Sequence, residues 1–559
     1  MCGICGVRLL HEDLSDGSKE RIVSALGTLG GIDANVLAEN NALAAGIAYY
    51  FNIELNHRGD ASSGIYTFNG SHHHFHGGMG VAREVFNLDD LVSLPGFVAT
   101  GHDRYATTGI PRPQNIQPLV AQLNGAVISL GHNGNITNEG ELREMIIGEE
   151  KRLQELGLSL KSTTDSELLL HSIALELYKH PDKPLPDIIG NAMQPVRGAY
   201  SIVGTIDDKL IGFRDPHGIK PLVFGQLGDD IAVFASEGHT IRDFAEAAGY
   251  DAEIRPVGNG ELIVVDSNGV SEHRYTPPKK KLFCSFEWAY LQSPKEEDAA
   301  RLRQTLGRRL WKKSGVDIRS GGEYSVVPIP RSGIIYAFGF SKDSGIPYQN
   351  QIKISESYIR SFMGATQEER QSGVRNKHKF EDSYIGKAMF LTDDSIVRSN
   401  TMSYIVRELR DRNVEELHVM VGTPQIVNPC WLGVQIPNTD ELIAADLTGK
   451  QVERYFESIF YGAEYEIDEL KGLVGGGNSV QSIVDQSISE GKNRYLNNLN
   501  MTEVVEGKFS LTYLTLKDFK GAFDEIGINS NDICTACMQK NGSGYTPAMK
   551  RDLQVAGVI

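Results

Sequence analysis

The cysteine at position 2 has a chemical option that no interior cysteine shares. Loss of Met1, favoured by a small second residue, would leave an α-amine within reach of its own thiol. Such an amine titrates near pH ~7.7–8.0. Nucleophile and general base then belong to one residue, the arrangement of N-terminal hydrolases. An amide substrate needs donors aimed at its developing oxyanion. Asn133 and the Gly134 N–H, in Gly131-His132-Asn133-Gly134-Asn135, offer them. An amino-acid substrate also needs a cation for its carboxylate and an anion for its ammonium, and Arg104 and Asp165 fit those roles.

A second set lies far along the chain. The apolar run Ala388–Thr392 ends in Asp393-Asp394-Ser395-Ile396-Val397-Arg398-Ser399-Asn400-Thr401 and enters a helical pattern. A strand feeding a turn that opens a helix makes an anion site from backbone N–H groups and the helix dipole. The paired carboxylates before it suit a ribose diol or a Mg²⁺-bound sugar phosphate. An acidic turn with an Asp/Ser helix cap has the same spelling.

The chain has six cysteines. Cys284, Cys430, Cys534 and Cys537 make a plausible thiolate set, compatible with zinc, an iron–sulfur cluster or no metal. Cys5 reads as a buried core thiol. His72, His73, His74 and His76 read as a solvent-facing hairpin rather than a metal site.

These residues need two kinds of scaffold. Up to about Tyr275 the pattern is short alternating strands between Gly-rich turns, with helical stretches at Glu139–Glu155 and Asp165–Tyr178. That is an α+β sandwich. Thr276-Pro277-Pro278-Lys279-Lys280-Lys281 reads as a linker. Beyond it strands alternate with helices: Tyr324–Ile329, Gly333–Phe340, Tyr348–Ile354, Lys387–Thr392, a helix with Met402, Ile405, Val406 and Leu409 on one face, and Leu417–Val421. That is a parallel-sheet α/β domain. Division at 1–275, 282–471 and 472–559 follows, the last an extension that carries the CxxC pair.

With 559 residues the chain exceeds one core. Its net charge of −17 argues against nucleic-acid or anionic-membrane partners. It lacks a signal peptide, a spanning apolar run and a Gly at position 2 for myristoylation, which together predict a cytoplasmic protein.

The first half of the chain resembles the class II glutamine amidotransferase domain. The resemblance rests on Cys2, Asn56-His57-Arg58-Gly59-Asp60, Gly101–Gly109, Gly131–Asn138, Thr164–Glu167, Arg197–Ser201 and Arg214–Leu222. It implies that Cys2 forms a glutamyl thioester, that Asn133 and Gly134 form the oxyanion hole, and that Arg104, Thr107 and Asp165 hold glutamine. By the same comparison the stretch between Gly6 and His57 looks like an insertion. The second half resembles the type I phosphoribosyltransferase domain of the amidophosphoribosyltransferase family, through Cys284–Glu287, Ser344–Tyr348, Gly373–Lys377, Asp393–Thr401 and Asp440–Ala444.

The expectation is therefore an α+β N-terminal-nucleophile (Ntn) hydrolase sandwich followed by an α/β type I phosphoribosyltransferase domain. Glutamine would be hydrolysed at Cys2 and the ammonia would convert phosphoribosyl pyrophosphate to 5-phosphoribosylamine, the first step of purine biosynthesis. The resemblance further implies Mg²⁺ near Asp393 and Asp394, which bind the ribose hydroxyls, and a phosphate cradle at 395–401. Arg370, Arg375 and Lys377 would close over the pyrophosphate, and a [4Fe–4S] cluster would sit on Cys284, Cys430, Cys534 and Cys537. It also implies purine nucleotide effectors and a homo-oligomer.

The chain departs from that family at Ser399-Asn400, where Gly-Thr is usual, and at Arg331, where an acid is usual; Tyr358–Phe362 is also one residue short. These departures keep two other readings open: another phosphosugar acceptor, or a second domain that only binds a regulatory ligand.

Overall fold

The computed structural model describes residues 2–11, 14–105, 112–123, 125–318, 322–354, 378–380, 387–434, 436, 439, 442–462, 508–540, 544–545 and 547–555. Thr107, Arg370, Arg375, Lys377 and the stretch Tyr358–Phe362 lie outside them.

Two antiparallel sheets build the first half. One orders its seven strands Ala252–Pro256, Val223–Leu227, Ile231–Ala235, Gly3–Leu9, Val98–Arg104, Ser62–Phe68 and His73–Met79. The other orders six: Gly269–Arg274, Glu261–Asp266, Lys209–Arg214, Gly198–Ile206, Ala126–Ile136 and Leu119–Leu123. Strand Gly3–Leu9 is thus central, hydrogen-bonded to Val98–Arg104 on one side and Ile231–Ala235 on the other. Small residues let the sheets approach. A Cβ on Gly6 would lie 2.6 Å from Val203 and 2.8 Å from Leu210, and the Thr100 and Ser129 hydroxyls meet across the gap at 3.1 Å, with Ser129 linked on to Thr205 within its own sheet at 2.9 Å.

Helices cover the outer faces. Asp165–Lys179 and Leu185–Met193 pack on the six-stranded sheet. Asp16–Leu29 and Leu43–Leu55 pack on the other, and the second is buried along almost its whole length. The stretch expected as an insertion between Gly6 and His57 therefore supplies a full layer of the core. Its apolar residues run all round the helix Leu43–Leu55, as a helix enclosed on every side requires.

The second half holds a parallel sheet ordered Tyr324–Pro328, Ala388–Asp393, Glu416–Val421 and Phe509–Tyr513. Its inner strands are buried along their lengths, which explains their unbroken apolar spelling. The helix Asn400–Asp411 buries Met402, Ile405, Val406 and Leu409, the face that the 3.6-residue period picks out. The fourth strand comes from the segment that sequence assigned to an extension after 472. Farther on, Ile533–Cys534 pairs in parallel with Phe283–Cys284. The closing segment is thus woven into the second half rather than appended to it.

Candidate active site

Cys2 opens the central strand at the edge of the gap between the sheets and is only 7% exposed. Its backbone nitrogen donates to Asn133 Oδ1 at 3.2 Å. That leaves Asn133 Nδ2 buried and without a partner, a donor facing a site that a substrate oxygen can fill. Next to it, a Cβ on Gly134 would run into Ala199 O and come within 2.7 Å of His132 Nε2. Only glycine brings a backbone N–H so close at this point.

His102 lies on Val98–Arg104, two residues before Arg104 and on the same face of the strand. Its Nε2 donates to His132 O at 3.1 Å, which fixes the tautomer and leaves Nδ1 free of any nitrogen or oxygen partner. Burial opposes a thiolate at Cys2. The charge and hydrogen bond of His102, the chain's amino terminus and the Tyr105 backbone outweigh it and bring the thiol down to about 6. Sequence reasoning quoted His102 within a motif but gave it no role. Strand alternation alone could have paired it with Arg104.

Arg104 is buried, in the field of both Cys2 and Asp165. Asp165 opens the helix Asp165–Lys179, and its Oδ2 accepts the Ile136 N–H at 2.9 Å. Burial would raise its pKa, but His132 at 3.7 Å and backbone donors hold it below the usual carboxylate range. Arg104 thus lies in the field of both the thiol and an anion, the charges that an amino-acid ligand requires.

A buried ion network stands behind the nucleophile. Arg58, fully buried, donates from Nε to Cys2 O at 3.2 Å, from NH1 to Glu237 at 2.5 Å and from NH2 to Glu287 at 2.7 Å. Glu287 belongs to the second half, three residues after Cys284. Among the described residues, Glu237, His239 and Glu296 are the only acid/histidine set tight enough for a single ion. Their ligand atoms are already engaged: Glu237 accepts from His57, Arg58 and the Ser293 N–H, and Glu296 accepts the His239 N–H. Burial lowers the pKa of His239, yet those two carboxylates raise it to about 9. The carboxylates favour the protonated imidazole, which makes the set an ion-pair cluster.

The four outlying cysteines converge. Cys284 and Cys534 are register partners, Cys537 O accepts the N–H groups of Val427 and Asn428 at 2.8 and 3.1 Å, and Cys537 feels the charges of the other three. Burial raises Cys284, Cys534 and Cys537, with Cys534 at about 11. The histidine run lies on the edge strand His73–Met79 and is less solvent-facing than expected: only His72 is exposed, His73 stacks on Tyr66, and His76 lies 3.7 Å from Asp90.

The acidic pair ends the strand Ala388–Asp393. Ser332 Oγ and the Asp394 N–H both donate to Asp393 Oδ1, at 2.7 and 2.9 Å, and Ser395 donates to Asp394. Burial raises both carboxyls, Asp393 strongly, and the charge of Asp394 pushes Asp393 further. Ser395, Ile396, Val397, Arg398 and Ser399 lead into the helix, whose first residues are Asn400 and Thr401. No side chain caps this helix, so the cap residue's side chain does not compete with an anion for its leading N–H groups. Ser399 sits at φ −72°, so the loss of glycine there imposes no backbone strain. The left-handed residue near the pair is Arg331, at φ +70°.

A thiol at position 2 between two antiparallel sheets, joined to a parallel α/β sheet with an acidic pair at a strand end, defines a class: an Ntn glutamine amidotransferase fused to a phosphoribosyltransferase-type domain. A family model described as a glutamine amidotransferase domain matches residues 102–243. The chain is 34% identical over 452 residues to an amidophosphoribosyltransferase of Synechocystis sp., covering 80% of this chain and 87% of that one. It is 35% identical over 438 residues to the Methanothermobacter thermautotrophicus protein of the same name, covering 77% and 88%. Among solved structures it resembles glutamine phosphoribosylpyrophosphate amidotransferase from B. subtilis complexed with ADP and GMP, at TM-score 0.70 and 25% identity, over 98% of this chain and 97% of that one. This chain belongs to the amidophosphoribosyltransferase family.

Proposed function

We propose that this protein is a glutamine-dependent amidophosphoribosyltransferase that makes 5-phosphoribosylamine, glutamate and pyrophosphate from glutamine, water and phosphoribosyl pyrophosphate. The observation that carries the reading is Asn133, which engages the Cys2 nitrogen through Oδ1 and keeps a buried, unpaired Nδ2. With Met1 removed, that nitrogen is the α-amine. The thiolate attacks the glutamine amide carbon, and Asn133 Nδ2 and the Gly134 N–H hold the oxyanion. The α-amine passes a proton to the leaving ammonia. Water then cleaves the thioester and frees glutamate. Arg104, Thr107 and Asp165 hold the amino-acid end.

Ammonia attacks the anomeric carbon of phosphoribosyl pyrophosphate, and pyrophosphate leaves. Asp393 and Asp394 hold the ribose hydroxyls, residues 395–401 cradle the 5′-phosphate, and Arg370, Arg375 and Lys377 close over the leaving group. Two adjacent carboxyls raised by burial favour a cation beside them. Mg²⁺ held near Asp393 and Asp394 would offset the charge of the leaving pyrophosphate. Ser332, donating to Asp393, keeps that carboxylate in place.

Cys284, Cys430, Cys534 and Cys537 fit a multi-iron cluster better than a single ion. Ligands of one zinc lie about 3.8 Å apart at the usual bond length, and no such cysteine set occurs among the described residues. Raised, buried thiols also call for a positively charged group. A [4Fe–4S] cluster here would join the closing segment to the rest of the second half.

Purine nucleotides as effectors follow from the family and from the nucleotide-bound relative. No helix among the described residues is long and apolar enough to cross a membrane, in keeping with a cytoplasmic enzyme.

The test is joint assay of glutamate and pyrophosphate with glutamine and Mg²⁺, with and without phosphoribosyl pyrophosphate. Equal release is expected, with Cys2→Ala losing at least about 10³-fold of the glutamine reaction while ammonium salts still support pyrophosphate release. Glutamate release without pyrophosphate would refute the acceptor assignment.

A further inference from the structure

The glutamine site is not closed by its own half of the chain alone. The segment Cys430-Trp431-Leu432-Gly433, from the second half, reaches the end of the strand Ala126–Ile136 that carries Asn133 and Gly134. Two contacts fix it there. Asn135 Nδ2 donates to Trp431 O at 2.9 Å. Gly433, at φ +93°, has no room for a side chain: a Cβ would lie 2.8 Å from the Gly134 carbonyl carbon, 3.0 Å from its oxygen and 3.0 Å from Lys220 Cε. Gly134 therefore has Ala199 O and His132 Nε2 where its own Cβ would go, and Gly433 packed against its carbonyl. Neither of its own sheet neighbours provides that second contact.

We infer that Trp431–Gly433 is the back wall of the oxyanion hole, with Asn135 and Gly433 acting as positioning residues that set the Gly134 peptide and hence the hydrolysis of glutamine. This deepens the proposed function and rests on Asn133 and Gly134 as the oxyanion donors. The physical reason is tolerance. An oxyanion donor works only within a few tenths of an ångström of its acceptor; Gly433 abuts the Gly134 carbonyl, in the peptide next to the one that carries the donor N–H, so a shift there turns the residue that holds the donor. The wall is itself held from behind, because Val427 and Asn428 donate to Cys537 O. The segment thus has a fixed anchor on one side and the Gly134 peptide on the other. Asn135 donates to a backbone carbonyl rather than to a side chain, so the link does not depend on what residue 431 is.

A wall of this kind makes a specific kinetic demand. It does not touch the carboxylate or ammonium of glutamine, so it should leave the Michaelis constant largely alone and act on turnover. It also lies outside the acceptor site, so the ammonia-driven reaction should be indifferent to it.

The experiment uses the full-length enzyme with Gly433→Ala, Asn135→Ala and, as a reference, Asn133→Ala. Glutamate release from glutamine is measured alongside pyrophosphate release driven by ammonium chloride. Gly433→Ala and Asn135→Ala should each lower kcat for glutamine by about 10–100-fold, with KM changed less than about 3-fold, while the ammonia reaction stays within about 2-fold. Retained glutamine turnover in both variants would overturn the inference, as would loss of both reactions in both variants, which would make the segment a general structural support. If Asn133→Ala hydrolyses glutamine at full rate, the oxyanion assignment beneath the inference fails instead, and the two failures are told apart.

Discussion

His102 holds the acidity of Cys2 by a simple device: one ring nitrogen is spent on His132 O, so the other faces the sulfur. Removing the ring leaves only the amino terminus and the Tyr105 backbone against burial, and burial raises a thiol. Alkylation of Cys2 by iodoacetamide should therefore titrate with a midpoint near 6 in the parent enzyme. In His102→Asn it should move upward by about one unit or more, and an unmoved midpoint would show that the ring is not the cause. At this scale the sequence was partly legible. Asn133, Gly134, Arg104 and Asp165 could be read because each sits in a short Gly-rich or helix-opening string. Arg58, Glu287 and His102 were quoted within motifs but given no role; 229 positions separate Arg58 from Glu287, and nothing local marks either as buried.

Elements store opposite kinds of electrostatic cost. At the end of the strand Ala388–Asp393, two adjacent buried carboxyls repel each other. Asp393→Asn should therefore raise the melting temperature in Mg²⁺-free buffer while lowering pyrophosphate release by about 100-fold or more. A drop in melting temperature would mean that Asp393 is a structural acceptor for Ser332 rather than a strained functional group. At the start of the helix Gly238–Ala248, His239 shows the reverse sign. Its folded pKa is raised to about 9 by Glu237 and Glu296, so its stabilisation is complete below about pH 6.5 and fades as pH climbs through 9. Denaturant midpoints measured across that interval should fall in the parent and fall less in His239→Gln; parallel curves would remove His239 from the account. Element types and approximate bounds were legible because period and burial agree in Ala388–Asp393 and Asn400–Asp411. The role of the stretch between Gly6 and His57 was not legible, because a helix apolar on all sides, such as Leu43–Leu55, does not say which face meets which sheet. The strand Phe509–Tyr513 was missed because five residues of alternating polarity carry no mark of a partner that lies some ninety positions earlier at Leu417–Val421.

The whole molecule is joined by contacts that no single half contains. Arg58 to Glu287 is a wholly buried pair between them. Burying such a pair is costly, and leaving one member alone costs more. Glu287→Ala should lose about 3–5 kcal/mol of stability in equilibrium unfolding, whereas Glu287→Gln, which keeps an acceptor, should lose less; equal losses would mean that charge is not what Glu287 contributes. Cys2 O is bonded to the same guanidinium, so both variants also probe whether the nucleophile is set from the other half.

The late pairing of Phe509–Tyr513 and Ile533–Cys534 with much earlier strands has a consequence for synthesis. A ribosome delivers the sandwich entire, including the strand Gly269–Arg274 that edges it, before the second sheet has its last member. Cys284 and Cys430 emerge long before Cys534 and Cys537, so for that interval Cys284 lacks the strand partner that Cys534 supplies. A transcript broken upstream of Cys534 would yield a chain whose amide-cleaving sandwich has all its strands but whose synthetic half can never close.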